Sequence, residues 1–376
     1  MTLETWQRWR EHATAEGLGF SPAPEYQVFP TRERPLKPYA AAARAALETR
    51  ELVRRLEPDV VVNDVLTLAT NMAAELEDRP RATLVPHFYP PSAPGLPPFG
   101  IGALPPRTRL GRAAWKLLTR QTERGVERGR QELNGTRERV GLPPLERAYG
   151  GISADLCVVG AFPQLEYPRA WPPGVHVTGP LMWEPPFGDV ELPPGEEPLV
   201  LVAPSTSQDP RQRLLRAALE GLAGLPVRVL ATYNRRPPPD PVEVPANARL
   251  VEWVSYSRTM PHADIVICHG GHGTMARALA CGAAVLAVPA AGDMGENAAR
   301  LGWSGAGLGL PNRFLGAATL RLAVRRLLED GSYRARARSI AEWSNGHDGP
   351  AGAAELVEAF GASPAPNSKT PATLDH

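Results

Sequence analysis

Cysteine is scarce in this 376-residue chain: there are three, Cys157, Cys268 and Cys281. An odd count without metal-type spacing argues against a disulfide framework or a cysteine-built metal site, and fits a reduced, cytoplasmic protein. An excess of charge of one sign is also missing. Forty-one basic residues against 40 acidic ones leave a formal net charge of +1, so neither nucleic-acid binding nor a polybasic membrane anchor is expected from composition. No run of about 18 apolar residues occurs, which excludes a membrane-spanning helix. The start Met1-Thr2-Leu3-Glu4-Thr5-Trp6 lacks the basic and apolar regions of a signal peptide. No repeat of fixed period is visible.

What is present is a globular composition with 43% apolar residues, enough for two domains with their own cores. The 42 prolines gather at 86–106, 168–198, 237–245 and beyond residue 362, where they mark loops and linkers. Helical patterning at 6–16, 38–56, 66–76, 108–140 and 212–222 alternates with short apolar strands. Those strands are expected at 60–63, 82–86, 156–159, 199–203, 227–231, 248–252, 284–289 and 306–310, and residues 2–5 read as the end of another. Alternation of this kind predicts the α/β class with doubly wound parallel sheets. The helix at 352–360 precedes a tail, 362–376, expected to be disordered. The basic residues from Arg107 to Arg139 read as a solvated helix face, against a membrane-lying or acidic-acceptor surface.

The most informative segment is Asp264-Ile-Val-Ile-Cys-His-Gly-Gly-His-Gly-Thr-Met-Ala276, a strand running through a glycine turn into a helix. Gly270, Gly271 and Gly273 let main-chain N–H groups approach a ligand, and the helix start adds unpaired donors and the positive end of its dipole. This is a phosphate-holding arrangement, with His269 and Thr274 as further donors. Asp293 and Asn297 follow the next strand, at the sheet end where ligands of open α/β folds bind.

Together, Trp253, His269-Gly-Gly-His-Gly-Thr274, Asp293-x-x-x-Asn297 and Val61-Val-Asn-Asp64 resemble the nucleotide-sugar glycosyltransferases of the GT-B architecture, in their antibiotic and macrolide branch. The resemblance implies two Rossmann-like domains facing across a cleft. They would be an acceptor-binding domain at 1–180 and a donor-binding domain at 197–361, joined by a linker at 181–196. It implies transfer of a hexose from a nucleotide diphosphate sugar to a hydroxyl of a small acceptor, with inversion and without metal or separate cofactor; the apolar, proline-rich loop at 90–106 suggests that this acceptor is hydrophobic. Trp253 would stack on the nucleobase, and Ser205 or Thr206 would lie beside the phosphates. Asp293 would accept bonds from sugar hydroxyls, with Asn297 orienting its loop. Asp64 would hold a catalytic histidine in its basic tautomer. Apart from the resemblance, His87, near Pro86 and Tyr89 in a proline-rich loop, is a candidate to face the acceptor.

The pattern departs from the family in places. The family's histidine base follows a first strand that is missing here, which would leave neighbouring strands unpaired; the true start is therefore expected upstream of Met1. Arg277 stands where relatives carry a ribose-binding glutamate, and arginine offers no acceptor. Met294 and Tyr256 replace commonly polar residues. Two other classes stay open. A non-catalytic nucleotide-sugar-binding protein fits a chain without that base. An NAD-dependent oxidoreductase fits because Gly271-His-Gly-Thr-Met-Ala276 also reads as a dinucleotide fingerprint.

Overall fold

The computed structural model describes residues 1–24, 40–185, 188, 190–205 and 209–362. The N-terminal half runs β1 (Thr2–Thr5), α1 (Arg10–Ala15), β2 (Gly19–Pro22), α2 (Ala40–Leu56), β3 (Val61–Asp64), α3 (Leu68–Leu76), β4 (Arg81–Val85), α4 (Arg109–Arg139), β5 (Leu156–Val159) and β6 (Val175–Val177). The C-terminal half continues with β7 (Leu199–Ala203), α5 (Arg213–Leu222), β8 (Arg228–Thr232), β9 (Ala248–Val251), α6 (Tyr256–Thr259), β10 (Ile265–Cys268), α7 (His272–Ala280), β11 (Ala284–Ala287), α8 (Met294–Ser304), β12 (Gly307–Gly309), α9 (Ala317–Glu329), α10 (Gly331–Asn345) and α11 (Gly349–Ala362).

The second half holds one parallel sheet in the order β12-β11-β10-β7-β8-β9. Ile265, Val200 and Val229 share a register row across its centre. All residues of β7, β10 and β11 are buried, as continuous aliphatic strands covered on both faces should be. Chain order reverses between β7 and β10, so the crevice beyond their carboxyl ends is the switch point where α/β sheets bind ligands.

In the first half, β3-β4-β5-β6 form a four-stranded parallel sheet and β1-β2 a separate pair. Among the described residues β1 pairs only with β2, and β3 only with β4. Leu3 and Val62 stay 40% and 44% exposed at those strands. The helix expected at 6–16 begins as a 3-10 turn at Gln7–Trp9 and is α-helical only over α1, because Trp6 supplies no side-chain cap. Strands β2 and β6 escape the sequence patterning: the first ends in Pro22, and the second is three residues long inside a proline-rich run. Helix α4 starts where expected, with the Thr108 hydroxyl accepting from the Gly111 N–H at 3.0 Å. Its far end is fastened by Arg137, 1% exposed, donating to both Glu75 oxygens at 2.7 Å.

One apolar cluster spans both halves, joining Val159 and Phe162 to Val266 and Ile340. Helix α11 crosses back, its Leu356, Val357 and Phe360 packing on Ala82, Leu156 and Val158 of the first sheet. Among the described residues no helix is long and apolar enough to cross a membrane. Thr206, part of the expected linker and the tail from residue 363 lie outside the described residues.

Candidate active site

The glycine turn after β10 is built as the sequence suggests. Gly270 sits at φ +77°, and a Cβ there would lie 3.2 Å from the Met294 carbonyl and 3.4 Å from the Ala287 Cβ. Left-handed backbone and close packing both demand glycine. Gly271 caps α7, and among the described residues nothing beyond chain neighbours and the helix's own backbone lies within 4 Å of a Cβ built on Gly271 or Gly273. The first helical bond of α7 runs from Met275 N–H to the Gly271 carbonyl. The N–H groups of His272, Gly273 and Thr274 therefore have no intrahelical acceptor and point out of the helix start.

Asn297 ties this turn to the next loop. Fully buried, it donates to the Gly270 carbonyl at 2.8 Å and to Asp293 Oδ2 at 3.1 Å. Asp293, at the start of α8, is thus held half-buried beside the glycine turn.

His269 is placed next to the turn but is engaged internally. Its Nδ1 accepts from the Ser205 N–H at 2.8 Å, and Nε2 lies 3.4 Å from Asp209. A ring whose Nδ1 accepts carries its hydrogen on Nε2, so that hydrogen points at Asp209. Burial lowers the His269 pKa, against the opposing pull of Asp209. Asp209 also accepts from the Arg213 and Leu214 N–H groups at the start of α5. A diphosphate drawing on His269 would compete with this carboxylate. Sequence reading passed over Asp209, although an acidic residue followed by Pro210 ahead of a helix is a capping signal.

Trp253 follows β9 with its ring roughly parallel to Tyr256, 6.4 Å between centroids. The Arg235 guanidinium lies 4.7 Å over the Trp253 ring. Arg277, on α7, acts electrostatically on Glu184, a residue of the expected linker. Glu184 accepts from the Tyr256 and Ser257 N–H groups, both at 2.8 Å. Burial works to raise its pKa, but the Ser257 hydroxyl, those N–H groups and Arg277 together bring it below the usual carboxylate range.

The N-terminal half contributes Asp64 and His87. Asp64 Oδ1 accepts from Leu66 N–H at 2.8 Å, a turn ahead of α3, whose N-cap is Thr67. Burial raises the Asp64 pKa; the Leu66 N–H and the nearby His87 pull it back. His87 Nδ1 lies 2.8 Å from the Phe88 carbonyl, which can only accept, so the hydrogen is on Nδ1 and the Nε2 lone pair is basic. The ring stacks on Phe99, 5.7 Å between centroids. Phe99, Ile101 and Tyr149 line a cleft of about 910 Å³ between the proline-rich loop and α4.

His272 joins the halves. Its Nε2 donates to the Gly160 carbonyl at 3.0 Å, and its buried Nδ1 has no partner among the described residues. Burial pushes its pKa down to about 4, and His87 and Asp293 both act on it electrostatically. It is the link through which the glycine turn, Asp293, His87 and Asp64 become one neighbourhood. The rival dinucleotide reading loses its footing here: its glycines follow β10, the fourth strand of the sheet by chain order, whereas a fingerprint of that kind follows the first. Among the described residues, no cluster of three or more histidines, cysteines or carboxylates could hold a metal ion.

Comparison with known proteins agrees with this fold. Residues 216–360 match the family described as "Erythromycin biosynthesis protein CIII-like, C-terminal domain". The 4'-demethylrebeccamycin synthase of Lentzea aerocolonigenes is 33% identical over 328 residues, covering 84% of this chain and 77% of that protein. The zeaxanthin glucosyltransferase of Pseudescherichia vulneris is 27% identical, covering 82% of this chain and 75% of its own. The crystal structure of CalG4, the calicheamicin glycosyltransferase, superposes with a TM-score of 0.73 at 23% identity, over 97% of this chain and 91% of that one.

Proposed function

We propose that this chain, which belongs to the GT-B glycosyltransferases of the antibiotic type, moves a hexose from a nucleotide diphosphate sugar to a hydroxyl of a small apolar acceptor. Glycosyl transfer follows from family membership; donor, stereochemistry and acceptor are inferred from the site. The observation that carries the reading is the open space over Gly271 and Gly273 at the start of α7, with Asp293 tied to the same turn through Asn297.

In this reading the chain divides at 181–196 into an acceptor half and a donor half. The diphosphate takes the N–H groups of His272, Gly273 and Thr274 and the Thr274 hydroxyl, with Ser205 beside it and His269 released from Asp209. Trp253 stacks on the base once Arg235 moves aside, and Arg277 faces the nucleotide. Asp293 accepts from the sugar's hydroxyls, and Asn297 keeps it oriented. His87, on which Asp64 acts, takes the proton of the acceptor hydroxyl at Nε2. The acceptor oxygen then bonds to the anomeric carbon from the face opposite the diphosphate, whose bond to that carbon breaks, so configuration inverts. The departing charge is met by aligned peptide dipoles worth about half a positive charge at a helix start, and the step asks for no metal. The cleft beside Phe99 receives the acceptor; the names of the relatives, a zeaxanthin glucosyltransferase among them, support an apolar one.

The test is transfer from uridine and thymidine diphosphate hexoses to a panel of aromatic, polyketide and terpenoid alcohols, with and without EDTA. Expected is an inverted glycoside by proton NMR, formed equally with chelator present. A product of retained configuration, chelator-sensitive turnover, or activity confined to polar sugars would each overturn the corresponding part.

A further inference from the structure

Overall charge balance conceals a local separation of charge. From residue 79 to residue 122 there is no Asp or Glu, while Arg107, Arg109, Arg112, Lys116 and Arg120 fall within 14 positions. All five are exposed. Among them on the first turns of α4 stand Leu110 at 84% exposure, Leu117 at 64% and Leu118 at 53%, and in the loop just ahead of them Ile101 and Leu104, each at 53%. Seven residues of helix bring Leu110 and Leu117 to within about 20° of each other, and Ala113 and Ala114 continue the stripe between them. Arg109, Lys116 and Arg120 run along one edge of it. The opposite face of the same helix, through Thr119, Thr122 and Val126, lines the cleft beside Phe99.

Leucines this exposed, side by side, are costly in water, and a bilayer interface is where an apolar stripe edged by cations gains on both counts. Leucines enter the acyl boundary while the long basic side chains reach the phosphates. We infer that the N-terminal half of α4, with Ile101 and Leu104, is a docking surface for an anionic lipid bilayer. Ile101 belongs both to this surface and to the lining of the cleft, so binding there would bring the cleft near the lipid. Charge complementarity selects this partner, because a stretch without one carboxylate repels other cations and draws anionic headgroups, at about 1 kcal/mol per basic residue near such a surface. The inference goes beyond the proposed reaction and stands without it.

The experiment is vesicle co-sedimentation of the full chain with no donor or acceptor present. Expected is pelleting with phosphatidylcholine vesicles containing phosphatidylglycerol, little with phosphatidylcholine alone, and release at high salt. Leu110→Glu/Leu117→Glu and, separately, Arg109→Glu/Arg120→Glu should each cut partitioning at least about tenfold. All four sites are exposed, so unfolding temperature should stay put and show both variants folded. Wild-type protein left in the supernatant with anionic vesicles would overturn the inference, as would variants that bind like wild type. So would light scattering that finds a dimer dissolved by the leucine variant, which would give the stripe to a second copy of the chain.

Discussion

The Arg300 guanidinium lies 2.7 Å from the Glu166 carboxylate, joining α8 to the N-terminal half with the side chains 5% and 3% exposed. On its other side Arg300 meets Glu296 at 2.9 Å, and its charge also lies over the rings of Phe88 and Tyr167. Glu296 in turn accepts from the N–H groups of Gly100 and Gly102 in the proline-rich loop. One buried cation therefore fastens the proline-rich loop to α8, whose N-cap is Asp293.

Removing that cation strands two buried carboxylates. Arg300→Met should destabilise the protein by about 3–5 kcal/mol, because breaking a buried pair costs more than the pair itself contributes. A urea titration measures this; an unshifted midpoint would show that the carboxylates find water or protons without penalty.

The glycines of the α7 turn should separate stability from binding. Gly270→Ala places a side chain at φ +77° against the Met294 carbonyl and should cost about 1–2 kcal/mol of stability. Gly273→Ala meets open space and should hold stability or raise it by up to about 1 kcal/mol. Its methyl nonetheless stands where the proposed diphosphate would lie, so calorimetry should find weakened nucleotide diphosphate binding in both variants.

Asp293→Ala should abolish transfer and spare nucleotide diphosphate binding. Asn297→Ala should lower kcat at least about tenfold through loss of the two bonds that position Asp293, a geometric effect of the kind that misplacement produces. Equal loss of nucleotide affinity in the Asp293 variant would refute this division of roles.

His272 makes a pH prediction with a definite sign. Its folded pKa, pushed down to about 4, lies below the unfolded value near 6.5, so the unfolded chain binds the proton first. Its contribution is complete above about pH 6.5 and is lost as pH falls toward 4, up to about 3 kcal/mol. His272→Asn should flatten the stability profile in that window and leave it unchanged above pH 7. A profile as steep as wild type would assign the loss to other groups.

Asp64 is expected to trade stability for chemistry. Burial raises its pKa, so its ionised form is disfavoured in the folded protein, and Asp64→Asn keeps an oxygen for the Leu66 N–H. The variant should match or exceed wild type in thermal stability at pH 7 while kcat falls at least about tenfold. Lower stability with full activity would reduce Asp64 to a turn residue.

Local chemistry alone was enough for several features. Aliphatic runs such as Leu199–Ala203 and Ile265–Cys268 can only be strands covered on both faces, and Gly270-Gly271 between strand and helix can only be a tight turn with bare donors. These signals are short-range: burial of consecutive side chains and a φ that glycine tolerates do not depend on distant residues. The strand pairing that leaves β1-β2 apart from β3-β6, the capture of His269 by Asp209, and Arg235 over Trp253 were not readable that way. Nor was the Glu166–Arg300–Glu296 chain, whose first partners are 134 positions apart. A charged side chain carries no mark of which opposite charge it will meet; that depends on which surfaces the packed sheets bring within about 3 Å, where desolvation makes the pairing matter. The exposed leucines of α4 belong with these, since the same helical pattern serves a buried stripe or a bare one, and only the neighbours that fail to cover it tell them apart.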